Sequence, residues 1–176
     1  MKKLLILAAL FIGVNAFAQT KHTVVKSAVT YHIKNMGINT DGKFESVQAN
    51  INFDTQHLAA SSIEATADAA SINSDNNMRD NHLRKPDYFD VEKYPKITMK
   101  SVSFKSNGGN NYTGIFNVTI KDKTKAVEVP FTYTENGSSA LFKGSFKINR
   151  RDFGVGGKSL ILSDEATVNV EVQTNK

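Results

Sequence analysis

The sequence predicts an all-β domain of about eight antiparallel strands. Apolar and polar residues alternate with a period of two along most of the chain. Turns rich in Gly and Asn separate the alternating runs. One charged, proline-bearing stretch interrupts them between the third and fourth strands. Alternation gives each strand one dry and one wet face, and short turns favour antiparallel neighbours. Eight such strands can form a sandwich or a closed barrel, and periodicity alone leaves that choice open.

In chain order, the first strand is read over 22–35 and the second over 43–54, where Val47, Ala49, Ile51 and Phe53 share a face. The third spans 61–73, with Ile63, Ala65, Ala67 and Ala69 on one side. Then comes "NNMRDNHLRKPDYFDVEKYP", residues 76–95, where alternation stops. Ser74 or Asp75 is expected to cap a short helix reaching about Arg84, with Asp80 and Arg84 paired one turn apart. Pro86 stops that helix, and a second turn from Asp87 to Lys93 ends at Pro95. Strands follow at 96–106, 111–121, 125–135, 139–150 and 164–174. "NMGINTDGK", "SNGGNN" and "ENGSS" supply the positive φ angles of tight connections.

The chain opens with "MKKLLILAALFIGVNAFAQT": a basic start, an apolar run too short to span a bilayer, and small residues at Ala16 and Ala18. This predicts a secretory signal peptide over 1–18, cleaved after Ala18, and a mature domain of 19–176 that is periplasmic or secreted. The 176-residue chain has no cysteine, so the fold holds without disulfides and no thiolate metal site exists. Net charge is +5, and Lys2 and Lys3 account for two of these, leaving +3 on the mature chain. The basic residues are dispersed and not interleaved with aromatics, which argues against a nucleic-acid partner.

Catalytic motifs are few. The histidines (His22, His32, His57, His82) lack metal-ligand spacing, and each reads as a surface or capping residue. Arg79, Asp80 and His82 are the best candidates for chemistry, yet Asp80 and His82, two positions apart, do not face each other on a helix. They read better as residues that cap and fasten a cover over one end of the domain. "RRDFGVGG", residues 150–157, reads as a structural corner before it reads as a ligand contact. The dry faces mix small residues (Ala49, Ala65, Ala67, Gly114, Gly144) with Phe53, Phe116, Phe131, Phe142 and Phe146. An eight-stranded barrel with such faces either fills itself or holds one small ligand, and the pattern alone does not choose.

"MRDNHLRKPDYFDVEKYPKITMKS" resembles the YceI-like family of exported lipid-binding proteins. Arg79-Asp80, His82-Leu83, Asp87-Tyr88-Phe89-Asp90 and Tyr94-Pro95 carry the likeness. "INRRDFGVGG" is similar to that family's Arg-x-Asp-Phe-Gly element through Arg150, Asp152, Phe153 and Gly154, and "GKFESVQANINFD" to its Gly-x-Phe strand through Gly42 and Phe44. Two departures are Asn35, where family members often carry His, and Lys121-Asp122-Lys123-Thr124 in the turn after Gly114 and Thr119. The resemblance implies an eight-stranded antiparallel lipocalin-like barrel with a short helical insertion between strands three and four. It implies a non-enzymatic carrier of a long-chain lipid, such as a polyisoprenoid, an isoprenoid quinone or a fatty amide, with no other cofactor. Such a carrier would be a monomer or homodimer with transient membrane contact. Ala49, Ile51, Phe53, Ala65, Ala67, Phe116, Val118, Val129, Phe131, Phe142, Phe146 and Ile148 are then expected along the lumen. Arg79, His82 and Arg150 are expected near a lipid head group. The alternatives are a structural or stress-response surface domain with a filled core, and a lipid hydrolase using Asp80 and His82.

Overall fold

The alternating runs pair edge to edge until the sheet meets itself. The computed structural model describes residues 21–176, so the expected signal peptide and its cleavage point lie outside the described residues. Ten strands follow in order: β1 (Lys21–Asn35), β2 (Ile38–Phe44), β3 (Val47–Asn52), β4 (Ser62–Asp68), β5 (Ile72–Asn73), β6 (Lys96–Ser106), β7 (Asn111–Ile120), β8 (Lys123–Asn136), β9 (Ser139–Asn149) and β10 (Leu162–Asn175). Eight of them close an antiparallel ring, β1-β10-β9-β8-β7-β6-β4-β3 and back to β1. The seam from Thr23↔Asn175 to Asn35↔Leu162 decides for a barrel over a sandwich. Beside the ring, β2 pairs with β1 and carries the two-residue β5 on its other edge.

The expected second and third strands each divide. Glu45 and Ser46 make a corner between β2 and β3, tied down by bonds from both amides to Ser71. The 3₁₀ turn Ala69–Ser71 separates β4 from β5, capped by the Asp68 carboxylate on the Ala70 amide. The remaining strands differ from expectation only at their ends.

Two β-bulges change which residues face inward. Val25 is the extra residue in β1, so the inward set passes from His22 and Val24 to Ser27, Val29, Tyr31, Ile33 and Asn35. Val102 does the same in β6, passing the inward set from Ile97, Met99 and Ser101 to Phe104. Both bulged valines are consequently solvent-exposed, at 58% and 59%. A strict alternation read through either point would invert one half of the strand.

One end of the barrel is solid. Phe53, 1% exposed, meets Phe104, Tyr112, Phe131, Tyr133 and Phe142 edge-on, with ring centroids 5.0–5.6 Å apart. His22 belongs to this floor, not to the surface as its sequence context suggested. Its ring lies against Tyr133 and Phe142, with Nδ1 2.9 Å from Thr174 Oγ1 and Nε2 3.2 Å from the Phe53 carbonyl. A carbonyl only accepts, so Nε2 carries the proton and Nδ1 accepts from the threonine hydroxyl. His32, by contrast, is exposed beside Asp41, as its alternation with Tyr31 implied.

The helix α1 (Asn77–Leu83) starts slightly later than expected. Asn76, not Ser74 or Asp75, is its N-cap, accepting from the Arg79 amide at 3.0 Å. Asp75 instead takes a positive φ of 57°. The expected Asp80–Arg84 pair does not form. Asp80 is buried and accepts from the Ser74 amide and hydroxyl, while Arg84 donates to the Ala70 and Ile72 carbonyls and to Asn81. After Pro86 the chain makes the expected turns toward Lys93, interrupted by Asp90 at φ 50°.

Burial in the floor lowers the His22 pKa from its ordinary 6.5. Above pH 6.5 the residue is neutral in both folded and unfolded chains. Below it the unfolded chain binds the proton first, so stability falls with pH until the folded site also titrates. Thermal melts of wild type and His22→Gln between pH 7.5 and 5.5 should diverge at the upper end and converge on acidification, the variant lacking this component of the loss. Parallel curves would show that His22 does not set it.

Candidate ligand cavity

Above the aromatic floor the barrel is hollow. A cavity of about 590 Å³ runs from the middle of the barrel to the end covered by α1, a size in the range of small-molecule pockets. Its walls are apolar: Val29 and Ile33 of β1, Ile97 and Met99 of β6, Val168 and Val170 of β10. The space exists because three facing positions are alanines. Ala49 and Ala65 sit directly opposite each other across β3 and β4, and Ala67 lies opposite both Val47 and Ile97. The glycines do not add to it. A Cβ at Gly114 would run into the rings of Phe116 and Phe104, which already occupy that volume.

Six of the twelve expected lumen residues line this cavity: Ala49, Ala65, Ala67, Val118, Phe146 and Ile148. Ile51, Phe53, Phe131 and Phe142 point inward but pack in the floor. Phe116 and Val129 belong to a second packed cluster, with Phe153 and Val155, that thickens the β7–β9 wall. Alternation reports the face of a strand and is silent about height along the barrel axis. The largest omission from the expected set was β1, whose Val29-x-Tyr31-x-Ile33 alternation is plain in the sequence.

All three expected head-group residues stand at the covered end, yet they differ in what they can still bind. Arg150 is 5% exposed, and its guanidinium is fully engaged. Nε donates to Ser163 O, Nη1 to Val155 O and Gly157 O, and Nη2 to Leu162 O and the Asp164 carboxylate, all within 2.8–3.4 Å. That uses all five of its donors, so Arg150 holds the 155–164 loop against the barrel and has no hydrogen left for a ligand. Gly156, at φ 70°, permits this approach: a Cβ there would stand 2.8 Å from Nη1 and 2.9 Å from the Tyr88 ring. Its amide donates to Asp87 O, which joins the loop to the cover.

Arg79 directs Nε and Nη2 at the Ser74 hydroxyl and carbonyl. His82 sets its ring edge-on to Tyr88, 4.9 Å between centroids. Asp80 faces Ser74 and not His82, so the two lack the shared hydrogen bond a hydrolytic pair requires. Among the described residues no three His, Asp or Glu side chains gather as a metal site. Two polar atoms of the cavity wall, Tyr31 Oη and Asn35 Oδ1, are buried and have no hydrogen-bond partner.

Fold and cavity together define a lipocalin-like antiparallel barrel, closed at one end and hollow at the other. The YceI-like domain family model matches residues 19–174, and the chain belongs to that family. A UPF0312 protein of Azotobacter vinelandii is 28% identical over 134 residues, covering 72% of this chain and 70% of the relative. The crystal structure of BcnA from Burkholderia cenocepacia superposes with a TM-score of 0.81 at 32% identity, covering 84% of this chain and 95% of that one. A polyisoprenoid binding domain from Saccharophagus degradans superposes with a TM-score of 0.68, covering 88% of this chain and 97% of that one. Its identity is 9%, so that likeness is one of fold.

Replacing Arg150 with Lys keeps the charge but leaves most of four carbonyls unserved. The Arg150→Lys variant should lose about 2–3 kcal/mol in urea unfolding, and its Gly156 amide should exchange with deuterium faster. Unchanged stability and exchange would contradict the clamp.

Proposed function

We propose that this protein is an exported carrier that holds one long-chain lipid, a polyisoprenoid, an isoprenoid quinone or a similar molecule, in the hollow half of its barrel and performs no chemistry on it. The observation that carries this reading is the one-ended apolar cavity of about 590 Å³. A tail suits it better than a compact solute does, because hydrocarbon dominates the wall. Each methylene taken from water contributes about 0.8 kcal/mol, so ten ordered methylenes leave several kcal/mol after the entropic costs of binding. The polyisoprenoid binding described for the Saccharophagus degradans domain supports the same ligand class, and the basic, apolar N-terminal run supports export. Among the described residues no helix is long and apolar enough to cross a membrane. A filled-core structural domain is a poorer match to a barrel with this void, and a hydrolase is a poorer match to an Asp80 already bound by Ser74.

The rim suggests how a lipid arrives. Met36 and Ile38 at the β1–β2 turn and Leu160 and Ile161 in the clamped loop are 55–99% exposed. The Met36 amide donates to Ile161 O at 2.7 Å, which makes the four side chains one patch beside the cavity residues Asn35 and Leu162. Exposed Lys34 and Lys158 flank it in sequence. An apolar patch with a basic border fits an anionic membrane surface.

Protein secreted by a bacterial host should carry a bound lipid mass in native mass spectrometry. Ala65→Phe, which places a ring in the void, should bind a long-chain probe at least about tenfold more weakly while still folding. Wild type that is consistently empty would overturn the carrier reading. A Leu160→Ser, Ile161→Ser double variant should deliver its lipid more slowly to vesicles containing phosphatidylglycerol without weaker lipid binding. Unchanged transfer would remove the rim from the mechanism.

A further inference from the structure

The two orphaned polar atoms lie on one wall of the cavity. Tyr31 and Asn35 occupy the inward face of β1 at its covered end, on either side of Ile33. Tyr31 is directly opposite Gly42 of β2, and a Cβ at Gly42 would collide with Cζ and Oη of the tyrosine. Glycine therefore lets the ring lie flat across β2 instead of standing into the lumen. Beside it Phe44 sits 6.3 Å away, and Phe44 in turn meets Phe89 of the cover edge-on at 5.8 Å. The three rings form a continuous ledge from β1 to the cover.

Oη finds no acceptor or donor there. Arg79 is near enough to influence the phenol electrostatically, but its guanidinium donates to Ser74, and Asp80 and Asp41 oppose its charge. Asn35 Oδ1, further toward the β1–β2 turn, is equally buried and equally unpaired. Buried hydroxyl and amide oxygens are seldom left without partners, and two on one wall of a single cavity call for a common cause.

We infer that Tyr31 and Asn35 form the polar subsite for the head of the bound lipid, and that this head is a neutral group able to donate a hydrogen bond, a hydroxyl or a primary amide. The inference rests on the lipid-binding reading of the same cavity and narrows it. Oδ1 of Asn35 only accepts, so its partner must donate. Oη of Tyr31 can do either. A hydroxyl or primary amide satisfies both types of atom, whereas an oxidised quinone ring, with acceptors alone, leaves Asn35 Oδ1 unserved. Burial also pushes the Tyr31 pKa up to about 12, so the phenol stays protonated, and the same burial works against a carboxylate head.

The test compares two probes of equal tail, all-trans-geranylgeraniol and its methyl ether, by titration calorimetry. Wild type should bind the alcohol about five- to tenfold more tightly. In Asn35→Leu the preference should shrink to about twofold or less, with affinity for the ether unchanged, whereas Tyr31→Phe should weaken both probes, because the ether oxygen can still accept from Oη. Because Oη has no partner within the protein, the ligand-free Tyr31→Phe protein should melt no lower than wild type. A sharp fall in its melting temperature, equal binding of both probes by wild type, or a preference that survives Asn35→Leu would each overturn the inference. If wild type bound neither probe, the lipid-binding reading would fail first and the inference with it.

Discussion

Phe53 is the point on which the rest of the barrel depends. It is the last inward residue of the β2–β3 arm, and five rings from β6, β7, β8 and β9 close around it. Aromatic side chains bury large areas and lock into edge-to-face geometry, so this cluster supplies cohesion to an eight-stranded ring that has no disulfide. It also consumes nearly all of the bulky inward side chains at one end. The other end keeps alanines where β3 and β4 face each other. A barrel of this circumference can be filled along its whole length; here the filling is concentrated, and the void is the complement of the floor.

The backbone follows the same division. The bulges at Val25 and Val102 lie where β1 and β6 pass from the floor to the hollow half. Each one re-aims its strand, bringing His22, Val24 and Phe104 into the floor below and Val29, Tyr31, Ile97 and Met99 into the cavity above. The Glu45–Ser46 corner lets β2 leave the ring while β3 stays in it, and Phe44 of β2 lines the cavity and meets Phe89 of the cover. Irregularities that look local in the pairing pattern are therefore the means by which one chain builds two different interiors.

Much of this was legible beforehand, and the limits were physical. Alternation marked the strands and the inward faces of β3, β4, β7, β8 and β9 correctly, because a half-buried strand imposes a period of two. It assigned Phe131, Phe142 and Ile51 to a lumen they do not line, since the pattern contains no coordinate along the barrel axis. It ranked His22 as a surface residue because a histidine near a chain end gives no sign that Thr174, 152 positions away, will cover it. The small residues were ambiguous for a related reason. Gly114 is filled by a ring from its own strand and one from β6, whereas Ala49 faces Ala65 across the strand pair, and the difference depends on pairings that no short window contains.

The motifs that identify the family mostly fasten the cover. Asp80 is consumed by Ser74, Arg150 by the 155–164 loop, and Asp87 and Gly156 by each other's backbone. Buried charges of this kind are costly to expose singly, so their spacing is tightly constrained. Once every donor on such residues is spent on the chain itself, they cannot also choose a ligand. Choice falls instead to polar atoms that the fold leaves unspent, and the fully buried ones on the cavity wall are Tyr31 Oη and Asn35 Oδ1. Both sit on β1, in a stretch whose sequence is an ordinary alternating strand. The residues that announce the fold and the residues positioned to read a head group are thus largely different sets, and a match to the first set carries little information about the second.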